Sequence, residues 1–177
     1  MNLKSTSIAA ILLGCAIAMP IGFASAQPGK DIPPSEEMEH EGDIAYLTKL
    51  AERPGPVGPA AKNLIELFKG HMEAEDEFIL PPLTLLPALA AGKVSPDMKW
   101  AIADADKLKA EQENVRAKHQ ALTEGFIALK DAAQQEHDPN VEGFASDLAA
   151  DDLADVDITE PTVLLIGEFL RLKLSTQ

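Results

Sequence analysis

Residues 61–89 read AKNLIELFKGHMEAEDEFILPPLTLLPAL, and the spacing of their apolar side chains predicts the fold. Steps of three and four residues, typical of one face of an α-helix, connect Ala61, Leu64, Phe68, His71, Glu75, Phe78, Pro82, Leu85 and Leu89. The pattern returns 80 residues later at Val141, Phe144, Leu148, Asp151, Asp155, Ile158, Thr162, Leu165 and Phe169. Polar groups interrupt both stripes at the same two places. Because a buried carboxylate is costly unless its charge is compensated, these interruptions mark a candidate functional site.

Helical periodicity extends over nearly the whole chain, and the β-branched alternation that is typical of strands is almost absent. Proline-rich breaks and Ser-Pro or Asp-Pro starts separate four expected helices. These helices cover residues 35–51, 57–91, 96–135 and 139–173. Pro81, Pro82 and Pro161 should kink the second and fourth helices.

An internal repeat relates the two halves of the chain. At an offset of 79, one set of residues aligns with another: His40, Asp43, Leu47 and Leu50 with His119, Leu122, Phe126 and Leu129. The first two helices therefore resemble the last two, which indicates a duplicated helical hairpin. Short connections favour antiparallel neighbours, so we expect residues 35–174 to form an all-α, up-down-up-down four-helix bundle.

The first 26 residues have the features of a secretory signal peptide. Lys4 gives a basic start, residues 8–18 are apolar, and residues 24–26 read Ala-Ser-Ala, a small-residue cleavage signal. Cleavage near Ala26 would leave a linker at residues 27–34 and a periplasmic or secreted protein. An alternative is a lipoprotein anchored through Cys15, since residues 12–15 read Leu-Leu-Gly-Cys.

The composition excludes several classes of function. The net charge of −14 argues against binding to nucleic acid or to anionic membrane surfaces, because both would repel the chain. Cys15 is the only cysteine and lies in the signal segment, so we expect no disulfide or thiolate chemistry in the mature chain. No later segment is apolar enough to predict insertion into a bilayer.

Six side chains should meet at one level of the expected bundle. In antiparallel helices, residues at equal distances from a turn lie at equal heights along the axis. Counting from turns near residues 55, 94 and 137 brings together His40, His71, Glu75, His119, Asp151 and Asp155. Three imidazoles and three carboxylates in one layer predict a metal site, and mixed N and O ligands suit iron, manganese or zinc. The alternative is that the acidic residues of the fourth helix form a solvated face.

The sequence resembles the hemerythrin-like, or HHE cation-binding, domain over about residues 35–173. The resemblance rests on Glu39-His40, on residues 71–78 (HMEAEDEF) followed by Leu80-Pro81, and on Lys118-His119. It implies a four-helix bundle that holds a non-haem di-iron centre and binds or senses dioxygen, nitric oxide or a related small oxidant, or handles iron.

Two positions depart from the family pattern. Asp151 stands where the family has a histidine, and Val115 stands where a second histidine of the third helix is expected. By this resemblance, His40, His71, Glu75 and Asp155 keep what one iron and the bridges need, while the other iron would rest on His119 and Asp151. Both a di-iron and a mono-iron centre stay open.

The expected function is the binding or sensing of a small molecule rather than the turnover of an organic substrate. The sequence has no nucleophile–base pair, phosphate-binding loop or cofactor fingerprint. One alternative is a metal-free bundle that serves as a structural or interaction module. Another is an oxidase with a carboxylate-rich di-iron centre. The sequence does not predict an oligomeric state.

Overall fold

Proline and glycine set many of the helix boundaries in the structure, a computed structural model that describes residues 30–176. Helix α1 begins at Pro34, whose fixed φ angle suits the first turn of a helix. The turn after α1 places Gly55 at a φ of 89°, a conformation that favours glycine. The expected signal peptide, Cys15 and residues 27–29 of the expected linker lie outside the described residues.

Every regular element of residues 30–176 is helical, and the elements form four helical segments. The first segment is α1 (Pro34–Ala51). The second contains α2 (Val57–Ala74), a π turn (Glu75–Ile79), a 3₁₀ turn (Pro81–Leu85) and α3 (Leu86–Ala90). The third contains a 3₁₀ turn (Pro96–Lys99) and α4 (Trp100–Glu136). The fourth contains α5 (Pro139–Ala154), a π turn (Asp155–Thr159) and α6 (Glu160–Leu174). These bounds confirm the four predicted helices.

The turn before α2 is tied to the turn before α5. The Arg53 guanidinium donates hydrogen bonds to Glu136 at 2.7 Å and to Asp138 at 2.8 Å. The backbone N–H of Val57 donates to the same Glu136 carboxylate at 3.0 Å, which satisfies a free donor at the start of α2. The side chain of Asp138 also caps α5, as the Asp-Pro pattern predicts. These contacts join the two halves of the repeat at one end of the molecule.

Both proline-containing segments carry a π turn at positions 80 residues apart. The N–H of Leu80 donates to the carbonyl of Glu75 at 2.8 Å, and the N–H of Glu160 donates to the carbonyl of Asp155. Each bond spans five residues instead of four, and each precedes a proline. The proline ring would collide with the carbonyl four residues earlier in a regular helix, and proline has no N–H to donate. The predicted distortions are therefore present as wide turns on the N-terminal side of Pro81 and Pro161.

Apolar clusters flank the buried polar residues on three of the four segments. One cluster contains Phe68, Leu122 and Leu148 together with Leu47 of α1. A second cluster contains Phe78, Val115 and Val163. Along the second, third and fourth segments, a member of one cluster precedes the polar residues and a member of the other follows them. The polar residues therefore form a layer inside an otherwise apolar core.

The prediction of which face of the fourth segment is buried was wrong by one residue over most of its length. Ile158 and Leu165 of the predicted stripe are 64% and 69% exposed. The buried residues are instead Val141, Ala145, Leu148, Asp152, Val163, Ile166, Gly167 and Leu170. This segment has apolar residues on two faces, so periodicity alone does not select the inner one. The π turn also adds one residue, which moves the inner face of α6 further along the sequence.

None of the helices in residues 30–176 combines the length and the apolar character that a bilayer crossing requires.

Candidate metal centre

Five of the six predicted site residues line or border one small cavity of about 40 Å³ within the polar layer. The cavity is lined by His40, Asp43, Phe68, His71, Glu75, Leu122, Leu148, Asp151, Asp152 and Asp155. These residues come from α1, α2, α4, α5 and both π turns. The sixth predicted residue, His119, lies beside this group, and its ring centroid is 4.5 Å from that of His71.

Glu75 lies between two histidines at the start of the first π turn. Its Oε1 is 2.9 Å from Nε2 of His71, and its Oε2 is 3.4 Å from Nε2 of His40. The glutamate is 2% exposed and His71 is 3% exposed. Burial alone would raise the pKa of Glu75, but the surrounding imidazoles hold it below its ordinary value. Glu75 is therefore ionised inside the core, which requires positive charge close by.

His119 is held by two carboxylates that the sequence analysis did not single out. Its Nδ1 is 2.7 Å from Asp152 and its Nε2 is 2.9 Å from Glu160. Burial opposes the charged form of the ring, but these two hydrogen bonds raise the pKa of His119 to about 9. His119 is accordingly an imidazolium at neutral pH. We name His119, Asp152 and Glu160 the imidazolium triad.

Sequence periodicity could not identify Asp152 or Glu160 because both depend on the shifted register of the fourth segment. Asp152 is 9% exposed, whereas its neighbour Asp151, the predicted residue, is exposed. Glu160 follows the second π turn and lies midway between Ile158 and Thr162 of the predicted stripe. The sequence signal that could have revealed them is the second apolar face at Val163, Ile166 and Leu170, which shares a side of the helix with both.

Asp155 is in the predicted position near His71 and Glu75. One ligand atom from each of these three residues lies within 4.8 Å of those from the other two. Burial and the nearby charge of Glu75 raise the pKa of Asp155 to about 7. A raised pKa in an aspartate indicates that the carboxylate has too little compensating positive charge.

The outer part of the cavity is acidic as well. Asp43 lies one helical turn after His40, and burial together with the charges of Glu39 and Asp151 raises its pKa to about 6. Burial, followed by the charge of Asp151, also raises the pKa of Glu39. No lysine or arginine of the described residues 30–176 lines the cavity. The cavity is therefore rich in carboxylates and poor in cations.

The donor set fits a transition-metal ion. Two groups of side chains have ligand atoms close enough to share an ion, His71 with Glu75 and Asp155, and His71 with His119 and Asp152. Nδ1 of His71 is buried and has no hydrogen-bond partner among the described residues, which is unusual for a buried polar atom. A cation bound to the lone pair of this nitrogen would give it a partner and would balance the carboxylates. Imidazole and carboxylate together suit iron, manganese or zinc.

The six predicted residues thus fall into three kinds of environment. His40, His71, Glu75 and Asp155 meet around the cavity. His119 is buried beside them, but both of its ring nitrogens contact carboxylates. Asp151 reaches the rim of the cavity from an exposed position, so its predicted place on the buried face was wrong.

Comparison of the chain with protein-family models, with curated proteins and with solved structures finds no match.

Proposed function

We propose that this chain is a hemerythrin-like metal-binding protein with up-down-up-down helix topology and non-haem iron as its metal. The proposal is supported by the resemblance of residues 71–78 and of the His40 and His119 segments to that family. The all-helical structure and the convergence of His40, His71, Glu75 and Asp155 on one cavity are consistent with it. Manganese and zinc are the other ions that this donor set suits.

The observation that carries the proposal is the charge balance of the cavity. Within the described part of the chain, five carboxylates and two imidazoles line it, without a lysine or arginine. Burying uncompensated charge of one sign costs several kcal/mol per ion, on the order of the stability of a small domain. A divalent or trivalent cation held by His71, Glu75 and Asp155 would remove this cost, since metal ions are the largest local charges in such sites.

The size of the cavity limits its physiological ligand. A cavity of about 40 Å³ is larger than the roughly 10–15 Å³ that holds one water molecule, so it has room for a small ligand. Dioxygen and nitric oxide are ligands of this size. Iron, when bound, would supply the redox-active centre for which such ligands have affinity. Phe68, Leu122 and Leu148 would provide apolar walls that limit access of water. We propose binding or sensing of a small oxidant, or iron handling, after export and cleavage near Ala26.

Anaerobic addition of ferrous iron to the metal-free protein tests this function. We expect bound iron after desalting and a change in the optical spectrum when a small oxidant is admitted. His71→Ala should abolish iron binding because it removes a buried ligand. His137→Ala is the matched control, since His137 is exposed in a turn and should leave binding unchanged. A folded wild-type protein that retains no iron, manganese or zinc would contradict the proposal.

One observation favours the metal-free alternative, a bundle that acts as a structural or interaction module. The imidazolium triad balances part of the buried charge without any metal. Under this alternative, the melting temperature would be the same with added iron and with chelator, because a ligand that does not bind the folded state cannot stabilise it.

The carboxylate-rich cavity also favours a second alternative function, that of an oxidase with a di-iron centre. It predicts many turnovers of ferrous iron oxidation by dioxygen per chain, whereas a binding protein would consume at most an amount of dioxygen comparable to its bound iron. Oxygen consumption with excess ferrous iron separates the two.

A further inference from the structure

One side of α6 is apolar but lies outside the core. Leu165 and Leu172 are each 69% exposed, and Ile158, in the π turn before α6, is 64% exposed. Thr162 and Phe169 continue the same side of the helix and are half-buried. A single exposed apolar residue is ordinary, but a contiguous row of them is typical of an interaction surface. We name these five residues the outer face of α6.

The outer face of α6 has the spacing of a coiled-coil contact. Its residues, from Ile158 to Leu172, are separated by four, three, four and three positions, which is the alternation of the a and d positions of a heptad repeat. The fourth segment carries two apolar stripes, and the fold buries the other one, with Val163, Ile166 and Leu170, in its own core. The outer face is therefore available for contact with another molecule.

The charged residues beside the outer face are complementary between two copies of the chain. With Phe169 at position a and Leu172 at position d, Glu168 occupies position g and Lys173 position e. In two parallel helices, the g residue of one faces the following e residue of the other, so Glu168 of each copy would face Lys173 of the second copy. Both side chains are exposed. The remaining e and g positions of α6 carry no charge: Pro161 and Ile166.

The distribution of charge also favours a second copy at this place. The net charge of the chain is −14, so two copies repel each other over most of their surfaces. Residues 161–177, however, contain one acidic residue, Glu168, and two basic residues, Arg171 and Lys173. The Arg171 guanidinium donates to Asp106 of its own α4 at 2.6 Å. Residues 161–177 therefore lack the excess of carboxylates that repels a second copy elsewhere.

We propose that the chain forms a parallel homodimer through the outer face of α6, with Glu168 of each copy paired with Lys173 of the other. A two-fold axis along α6 would bring the same patch of both copies together, as a self-complementary interface requires. The outer face is about 21 Å long, at a rise of about 1.5 Å per residue. Such a contact belongs to the small interfaces of about 1,000 Å² in total, and we expect a dissociation constant of roughly 10–100 μM. The chain is then monomeric at the protein concentration of about 1 μM that suits a denaturation experiment. This association requires neither the cavity nor a bound metal.

Sedimentation velocity of the mature chain, residues 27–177, in chelator tests the dimer between about 1 and 300 μM protein. We expect monomer at the low end and dimer at the high end. Leu165→Glu should abolish the dimer because it places a charge in the middle of the apolar contact. Ile127→Glu is the matched control, since Ile127 is 55% exposed on α4, away from the outer face, and should leave association unchanged. A monomer at every concentration, or a dimer that survives Leu165→Glu with wild-type helix content, overturns the proposal.

Exchange of the two charges tests their pairing. Glu168→Lys and Lys173→Glu should each raise the dissociation constant at least about tenfold, because each places like charges together twice across the two-fold axis. The double variant Glu168→Lys, Lys173→Glu restores opposite charges and should dimerise as the wild type does. A double variant as weak as the single variants overturns the proposed pair.

Oxidative cross-linking tests the direction of the two helices. The mature chain has no cysteine, so Leu172→Cys introduces a single thiol. In the parallel dimer the two thiols lie opposite each other at a d position, and oxidised glutathione should give a disulfide-linked dimer. In an antiparallel pair centred on Leu165, Leu172 of one copy would lie opposite Ile158 of the other, and the two thiols would be about 20 Å apart. Ile127→Cys is the control and should stay uncross-linked. A dimer of Leu172→Cys that does not cross-link overturns the parallel arrangement.

Discussion

His71 and Glu75 in the second helical segment are 3% and 2% exposed, whereas the equivalent residues of the fourth segment, Asp151 and Asp155, are exposed and half-buried. Both segments nevertheless carry a π turn at the same place in the repeat. The comparison shows that the prolines and the apolar residues of a duplicated sequence determine different features of the structure. The prolines fix where the backbone widens, while the apolar residues on either side decide which of two neighbouring carboxylates faces inward.

The difference in register has a consequence for the site. The inward turn of Asp152 places a carboxylate against His119, and the second π turn brings Glu160 to the other side of the ring. In the second segment, the inward residue is His71, and its Nδ1 has no hydrogen-bond partner within residues 30–176. The first half of the repeat therefore has a buried imidazole with one nitrogen unpaired among residues 30–176, whereas the second half pairs both nitrogens of its buried imidazole with carboxylates.

The largest expected effect on stability concerns the inner face of α6. Ile166 is 3% exposed and its neighbour Leu165 is 69% exposed. Ile166→Ala should lower the free energy of unfolding by about 2–5 kcal/mol because it leaves a cavity in the core. Leu165→Ala, the matched control, should change it by about 0.5 kcal/mol or less. Urea denaturation of both variants in chelator measures the difference. A larger loss of stability in Leu165→Ala than in Ile166→Ala would mean that Leu165 is buried, as the sequence periodicity predicts.

A smaller effect is expected at the two neighbouring aspartates of α5. Asp152→Ala removes one of the two hydrogen bonds to the His119 ring and should cost about 1–3 kcal/mol of unfolding free energy. Asp151→Ala removes an exposed carboxylate that lies among others of the same sign. This change should be nearly neutral, within about 0.5 kcal/mol, or slightly stabilising in metal-free protein. Equal losses of unfolding free energy in the two variants would argue against a structure in which Asp152 is buried and Asp151 is exposed. The same denaturation experiment measures both.

The sequence was sufficient for the number and bounds of the helices because proline, glycine and capping residues act locally. It was also sufficient for the convergence of His40, His71 and Glu75, since these depend on two neighbouring segments joined by a short turn. It was insufficient for the fourth segment, where Val163, Ile166 and Leu170 compete with the equally apolar Ile158 and Leu165. Packing against α4 decides between these faces: a side chain at Gly167 would collide with Ala105, so this face approaches α4 closely.

The prediction that Asp151 faces inward failed for the same reason, because the sequence does not determine which face of the fourth segment is buried. Counting residues from turns predicts the height of a side chain in a bundle but not its direction around the helix axis. At Asp151 and Asp152, a rotation of one residue exchanges an exposed carboxylate for a buried one. The five-residue spacing of the π turn then carries the change forward to Glu160, which a regular helical repeat assigns to a different face.

The smallest expected effect is the pH dependence that the imidazolium triad gives to the metal-free protein. The pKa of His119 is raised from 6.5 to about 9 in the folded state, so its contribution to stability is complete below about 6.5 and is lost as pH rises through about 9. Asp43 and Asp155, whose pKa values are raised to about 6 and about 7, also lower stability with rising pH, but their effect is largely complete by about pH 7.5.

The interval from about pH 7.5 to 9.5 therefore isolates His119 from those two carboxylates. With chelator present, we expect the melting temperature to fall by about 2–4 °C across this interval, since the ring of His119 loses its charge there and with it the attraction to Asp152 and Glu160. His119→Gln should make the profile flatter, while His137→Gln, at an exposed turn position, should leave it as in the wild type. Equal slopes in wild type and His119→Gln would mean that the ring is neutral in the folded protein. In that case both halves of the repeat would present free imidazole to the layer, and the contrast between the second and fourth segments would be limited to their register.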